Sequence, residues 1–592
     1  MKSARRRTHS SYPEQIVQPA LIKSLFPGVP PYLNFIGGDE RVEQLPWEYR
    51  RLLKWRMCSI TPSIVKQLVA RSGFRPTKKH HDWLGCWGRH MKAQGFKSIR
   101  EYQKLNHFPG TFQIGRKDRL WRNLSRLQVS FGKKEFNFFP TTYVLPYDMK
   151  GLKRAWEDGG NKSKWIIKPP ASARGIGIKV INKWNQIPKK RPVIVQKYLG
   201  RPLLINDSKF DCRVYVYVTS YDPLRIYVYE DGLVRFCSTK YSHSMKHIND
   251  KYMHLTNYSI QKKNNEYESN ADDTVCQGHK WSLKALWGYL LKKGVNSNEI
   301  WKNIKDLIVK TIICAESAIN SYIKSNVRNR YSVHELFGFD ILLDENYKPW
   351  VLEVNISPSL HSNSQLDINI KGGLVKDIHN LAGFRVPDKV DVIPNPGCET
   401  YKPGQAPSSK YCMDKRVFPQ TLSPDEKAKH SYYSQRHHDE QAMHSIIDTL
   451  TPDDLRILIE SIDEDSRKGS FQRVFPTPST HRYLCYFENQ RYYNLFLDHW
   501  CQRFNRIEAK GIALIEAACR NKIHLQNPTT DARHQWCPPS SRISVSSSQL
   551  SVSASLSNSS LAKLRKQVKK NVEGNLSTRP PIPAKPRSIT AT

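Results

Sequence analysis

Two short apolar runs near the middle of the chain carry oxygen-bearing side chains where hydrophobes dominate. Residues 336–344 contain Asp340, and residues 349–355 contain Glu353 and Asn355. Both runs read as buried strands, because each is brief, the loop 345–348 is polar and no helical period fits. Residues two apart on a strand share a face, so Glu353 and Asn355 project together while Val354 points the other way. Asp340 on a neighbouring strand would complete an oxygen-rich face, and three oxygen ligands with room for waters and phosphates suit Mg²⁺. Taken alone, the three residues fit equally well as strand-end polar groups satisfied by backbone or lysine partners.

A second set of residues suits phosphate and nucleoside. Strand-like residues 165–168 run into Lys168-Pro-Pro-Ala-Ser-Ala-Arg174-Gly175-Ile176-Gly177-Ile178. Two glycines permit close backbone approach, and the flanking cations suit phosphate oxygens. Such a turn is also a common tight hairpin, and this one matches neither the P-loop nor the protein-kinase pattern. Residues 192–195 form a further apolar strand ending in Gln196-Lys197-Tyr198-Leu199, where a chain leaving a sheet can offer backbone groups to an adenine edge. Residues 209–218 alternate strictly, with Lys209, Asp211 and Arg213 on one face and Phe210, Cys212 and Val214 on the other. The charged face fits a solvent-facing ion-pair ladder or a ligand floor on which Asp meets ribose and Lys or Arg meets phosphate.

These residues need a large scaffold. At 592 residues the chain has length for roughly three or four domains. A hydrophobic content of 39% is that of a globular protein, poorer at both ends. Lys and Arg outnumber Asp and Glu by 93 to 53, a net charge of +40, which calls for a polyanionic partner. No nucleic-acid recognition module is present, so nucleic acid is not the expected partner. No apolar run reaches membrane-spanning length and no secretory signal opens the chain, so a membrane location is not expected and a cytosolic or nuclear one is. Twelve Cys lie without a C-x-x-C pair and read as reduced packing thiols.

Residues 1–51 mix Arg, Pro and Gly and read as a disordered basic segment. Helices are expected at 63–72, 117–124, 298–325 and 374–382, a strand at 138–146, strand and turn elements at 225–229, 232–236 and 254–258, and a mobile loop at 260–280. Residues 388–424 read as a linker. Residues 425–527 read as a helical extension, continuous from 482 to 519, with Thr451-Pro452-Asp453-Asp454 as a helix start. Its basic residues would face an acidic polymer or merely pack. His430, His437, His438 and His444 fit no zinc spacing. Residues 528–592 read as a disordered Ser-rich and basic tail.

The series K-P-x(5)-G-x-G-I, Q-K-Y, K-F-D-x-R, L-T-N-Y, F-G-F-D and L-E-V-N-x-S-P-S, in this order over residues 52–387, resembles the tubulin-tyrosine-ligase-like enzymes. Within that family the chain looks most like the tubulin polyglutamylases. The resemblance implies an α/β (α+β) ATP-grasp fold with nucleotide between two sheets and an ATP-dependent carboxylate-amine ligase that forms an acyl phosphate. It implies that Lys168, Arg174, Gly175, Ile176, Gly177, Gln196, Lys197, Tyr198, Leu199, Lys209, Phe210, Asp211, Thr256 and Asn257 hold ATP. Asp340, Glu353 and Asn355 would hold Mg²⁺, and Arg235, Tyr258, Lys280 and Lys371 would take free L-glutamate. Arg213 joins the cations around the transferred phosphate. Arg174 and Ile356 stand where chain-elongating members resemble one another in carrying Gln and His, so they look like the pattern of initiators of a glutamate branch. The implied partners are tubulin and microtubules through their acidic C-terminal tails, with other acidic proteins such as histone chaperones as candidate acceptors. A monomer in the cytoplasm and cytoskeleton, including cilium and basal body, is the matching expectation. A glycine or tyrosine ligase on the same scaffold and a catalytically silent microtubule-binding protein remain the rival readings.

Overall fold

The computed structural model describes residues 17–393, 406–526 and Trp536, apart from positions 39, 80, 161–162, 189–190 and 271. A small antiparallel sheet contains β1 (Thr142–Leu145), β2 (Trp165–Lys168), β3 (Lys179–Ile181) and β4 (Val193–Lys197) in the order β3-β2-β4-β1. Alternation along β2 sends Trp165 and Ile167 into one cluster with Leu152 and Val195, and Ile166 into another with Tyr198 and Met253.

A larger sheet holds β5 (Leu204–Ile205), β6 (Ser208–Tyr221), β7 (Leu224–Phe236), β8 (Lys280–Ser282), β9 (Glu335–Leu343), β10 (Pro349–Asn355) and β11 (Phe471–Phe475). Its path is β8-β7-β6-β9-β10, with β5 added to β6 and β11 to β7. Period-two alternation also divides its hydrophobes. Val214, Val216 and Val218 join Phe337 and Phe339 in the core built with the helix Ser297–Ile313, whereas Tyr215, Tyr217, Tyr227 and Tyr229 pack with the helix Gln365–Ala382. The helices used below are α1 (Phe112–Gly115), α2 (Lys117–Phe131), α3 (Ser297–Ile313), α4 (Glu316–Asn326), α5 (Gln365–Ala382) and α6 (Pro452–Ser466).

Several expectations are corrected. From Val17 onward the amino-terminal segment is folded: Leu33 and Phe35 are buried, and Phe35 contacts the rings of Trp55, Phe74 and Phe384. Its hydrophobes fall in short pairs such as Leu25-Phe26 and Phe35-Ile36 at irregular intervals, so no period announces them. Residues 1–16 lie outside the described residues. The expected linker packs too, with Met413, Val417 and Phe418 buried and the Met413 amide bonded to the Val386 carbonyl; positions 394–405 are not described. The long helix expected at 298–325 is two, because Ala315 leaves helical conformation at φ −112° and ψ 1°. The strands expected at 225–229 and 232–236 are one strand, β7. Residues 254–258 are not a strand: the short helices Lys251–His254 and Tyr258–Gln261 flank Thr256. Residues 482–519 break into a 3₁₀ segment and two helices.

The largest correction concerns residues 425–527, which are not a separate extension. Strand β11 extends the large sheet beside β7, and α6 places Glu460 and Glu464 on buried Arg225 at 2.8 and 3.0 Å. The helix start is as read: Thr451 caps α6 by accepting from the Asp454 amide, while the Asp454 side chain returns to the Thr451 amide. The expected tail at 528–592 lies outside the described residues except for Trp536. No helix among the described residues is long and apolar enough to cross a membrane.

Candidate active site

Strands β9 and β10 pair Asp340 with Glu353 and Gly338 with Asn355. That register brings the three oxygen-bearing side chains together. The Asn355 amide nitrogen lies 3.4 Å from Oδ2 of Asp340 and 3.4 Å from Oε1 of Glu353. Both carboxylates are ion-paired. Arg213 grips Asp340 through two contacts, Nε at 2.6 Å and Nη2 at 3.1 Å, and Arg235 reaches it at 2.9 Å. Burial alone would raise the Asp340 pKa, but the two guanidiniums outweigh it and hold the carboxyl well below the usual range. The donor set is hard oxygen, and a rotated Asn355 amide presents a third oxygen, which fits a divalent cation of the Mg²⁺ kind.

A cleft runs from this face to the small sheet. Lys168, Gln196, Lys197, Tyr198 and Leu199 line it from one side, Lys209, Asp211, Asp340 and Glu353 from the other, and Thr256 and Asn257 close it. Lys168 donates to Oε1 of Gln196 at 2.7 Å, and burial brings its pKa down to about 8 although Glu353 opposes the shift. Lys209 donates to the Tyr198 hydroxyl at 3.1 Å and to the His254 carbonyl at 3.0 Å. Two buried lysines thus face the same space from different sheets, an arrangement suited to a polyanion.

Not every expected nucleotide residue lines that space. Phe210 points to the opposite face of β6 and packs on Phe236, as the alternation of a strand requires. Residues 174–177 are also absent from the cleft wall, and Ile176 is 68% exposed. The loop is instead held against it: Gly175, at φ +74°, lies so close to Asn257 that a Cβ would stand 2.8 Å from its side-chain oxygen. The Arg174 carbonyl accepts from Ser259, and Ile356 lies on Gly115 of α1.

The four residues expected to take the amino acid form a connected set. Arg235 pairs across the sheet with Lys280 and donates to Asp211 at 2.8 Å. Lys280 stands over the Tyr258 ring and, with Lys371, grips Asp367; the Lys371 contact is 2.7 Å. Burial lowers Lys371 to about 8 against the pull of Asp367. Asp367, near the start of α5, was not legible as part of the site. Lys117 was also missed: at the start of α2 it lies 2.8 Å from Glu353 and donates to the Ser172 carbonyl of the glycine loop at 3.1 Å. Its place on an amphipathic helix gave no sign of this.

Two antiparallel sheets enclosing a cleft, with lysines from both and paired carboxylates from the larger, define an ATP-grasp fold. The family model described as tubulin-tyrosine ligase family matches residues 96–392, and the chain belongs to that family. It is 55% identical to the Homo sapiens protein named tubulin monoglutamylase TTLL4 over 555 residues, which cover 94% of this chain and 46% of the relative. It is 40% identical to the Caenorhabditis briggsae tubulin polyglutamylase ttll-4 over 513 residues, 86% of this chain and 82% of the relative. Against the Mus musculus tubulin polyglutamylase TTLL5 it is 35% identical over 491 residues, 80% and 36% of the two chains. The chain spans about half the length of the mammalian relatives it matches first.

Proposed function

We propose that the protein ligates free L-glutamate to the γ-carboxylate of glutamate side chains in acidic tubulin C-terminal tails, using ATP. The observation that carries this is the meeting of Asp340, Glu353 and Asn355 beside a cleft into which Lys168 and Lys209 point. A carboxylate is a poor electrophile, so its oxygen must become a leaving group. Attack of that oxygen on the γ-phosphorus, with ADP departing, gives an acyl phosphate. The glutamate amine then attacks the acyl carbon, phosphate leaves, and the amine proton passes to solvent or phosphate. A bound Mg²⁺ would neutralise charge on the transferred phosphoryl group.

The chain's own residues bind and orient. Lys168, Lys209 and Arg213 supply preorganised positive charge. Arg235, Tyr258, Lys280 and Lys371 take the two carboxylates of the incoming amino acid and leave its amine free. No nucleophilic side chain is required, and alignment of the reactants contributes much of the rate. Arg174 would draw the acidic tail toward the γ-phosphate, and with Ile356 it would favour starting a branch over extending one. The word monoglutamylase in two relatives' names supports that preference. The high positive charge supports capture of an acidic lattice, faster at low salt. We place this activity with microtubules in the cytoplasm and cilium, in a monomer, with histone chaperones as further candidate acceptors.

The test is incorporation of labelled glutamate, glycine or tyrosine into microtubules with ATP and Mg²⁺, followed by peptide mapping. Glutamate alone on side-chain γ-carboxylates is expected. Glycine or tyrosine incorporation, or microtubule binding with no incorporation, would overturn the assignment.

A further inference from the structure

A second cavity shares no lining residue with the nucleotide cleft and lies where α5 and α6 meet the ends of β6 and β7. At about 30 Å³ it has room for about two waters or one small ion. Four guanidiniums line it, Arg225, Arg330, Arg385 and Arg467, together with Lys104, whose pKa burial brings well below the usual ammonium value. Among the lining residues Glu460 and Glu464 oppose them, both engaged by Arg225 with Arg330 also on Glu460 at 3.3 Å, and Asp463 stands behind Tyr32, accepting from its hydroxyl at 2.9 Å. Arg467 donates to the carbonyls of Asn380 and Asp463, and Lys104 to that of Tyr331. Arg385 is left over. It is 2% exposed, its guanidinium lies over the rings of Tyr32 at 4.3 Å and Phe418 at 4.9 Å, and its Nε and Nη1 have no hydrogen-bond partner. Rings cover faces and leave edges, so the unmet donors are in-plane N–H groups that require an acceptor.

Two neighbours share the deficit. Nη1 of Arg225 is buried without a partner, and so are both ring nitrogens of His334, a residue 3% exposed, one of them an N–H donor in the neutral imidazole that burial favours. Each such donor costs free energy unless an acceptor meets it, and a charged one costs most. The excess of positive charge decides between neutral and anionic acceptors. We propose that this cavity binds a single small inorganic anion, of chloride or phosphate class, against Arg385, and that the anion fastens the segment after α5 to the large sheet through Arg225. The site is separate from the nucleotide machinery and does not depend on the proposed ligase activity.

The 592-residue chain is unfolded thermally at constant ionic strength while chloride or phosphate replaces gluconate, which is too large to enter. The melting temperature should rise by about 2–4 °C in whichever arm supplies the occupant. Arg385→Met should abolish the rise in chloride and leave in phosphate only the smaller rise that binding in the nucleotide cleft gives both proteins. Because that variant can fail to fold, crystals of the unmodified chain grown in bromide provide an independent reading: an anomalous peak beside Arg385 is expected if the occupant is a halide, and a tetrahedral density in phosphate if it is an oxyanion. Equal rises in both proteins, or water alone beside Arg385 in both crystals, would refute the site.

Discussion

The ammonium of Lys117 stands 2.8 Å from a carboxylate oxygen of Glu353 and also holds the carbonyl of Ser172. One side chain at the start of α2 therefore ties the glycine loop to the acidic strand. Lys117→Met should weaken Mg²⁺-ATP binding or turnover by about 10–100-fold, the range seen when groups that orient metal ligands are removed. Glu353 is partly open to water, so the fold should survive. Calorimetric titration of Mg²⁺-ATP alongside a melting curve checks both halves of this expectation.

Lys168 gives the binding reaction a pH dependence of defined sign. Burial lowers its pKa to about 8 from about 10.5, and a triphosphate placed against it raises the value again. Nucleotide affinity should be full below pH 8 and fall as pH rises through 8, with proton uptake on binding in that window. In the chain by itself the same burial penalty is fully present below pH 8 and fades as pH approaches 10.5. Calorimetry in buffers of different ionisation heat measures the uptake. Proton release, or none, would contradict the assignment of Lys168 to phosphate.

Arg174→Gln combined with Ile356→His should shift the product from single glutamates toward extended side chains. Arg174 lies on an exposed loop and Ile356 against Gly115, and the expected effect is on the acceptor's approach. Mass mapping of tubulin tails reads branch length directly. An unchanged length distribution would remove the initiator assignment.

Arg225 joins the carboxy-terminal third to the catalytic sheet through Glu460 and Glu464. Arg225→Met leaves Glu464 buried without its cation and Glu460 with Arg330 alone, and the expected loss is about 3–5 kcal/mol. Urea denaturation measures it. Removal of everything after residue 423 should give an insoluble chain, because β11 and α6 are lost together from the sheet.

The site was legible where chemistry and period coincide. Glu353 and Asn355 are two apart on a strand, and the alternation of Lys209, Asp211 and Arg213 fixed which face they share. What stayed hidden depends on contacts between distant segments. Lys117 looks like any cation on an amphipathic helix until α2 docks on β10. Phe210 travels with a ligand motif yet faces the core, because the residue between Lys209 and Asp211 must point away. The strand Phe471–Phe475 lies in a region dominated by helical texture, and only its pairing with β7 shows that residues 425–527 complete the sheet. Leu33 and Phe35 carry no period, so their burial follows from tertiary packing alone.

Asp340, Glu353 and Asn355 are together expected to hold a divalent ion on the nucleotide. Electron paramagnetic resonance of Mn²⁺ titrated into the protein with a non-hydrolysable ATP analogue addresses it without any need for turnover. Tight, nucleotide-dependent Mn²⁺ binding is expected in the unmodified chain and should be lost in Glu353→Gln and Asp340→Asn proteins that retain their melting temperatures. Unchanged Mn²⁺ binding in those variants would contradict it.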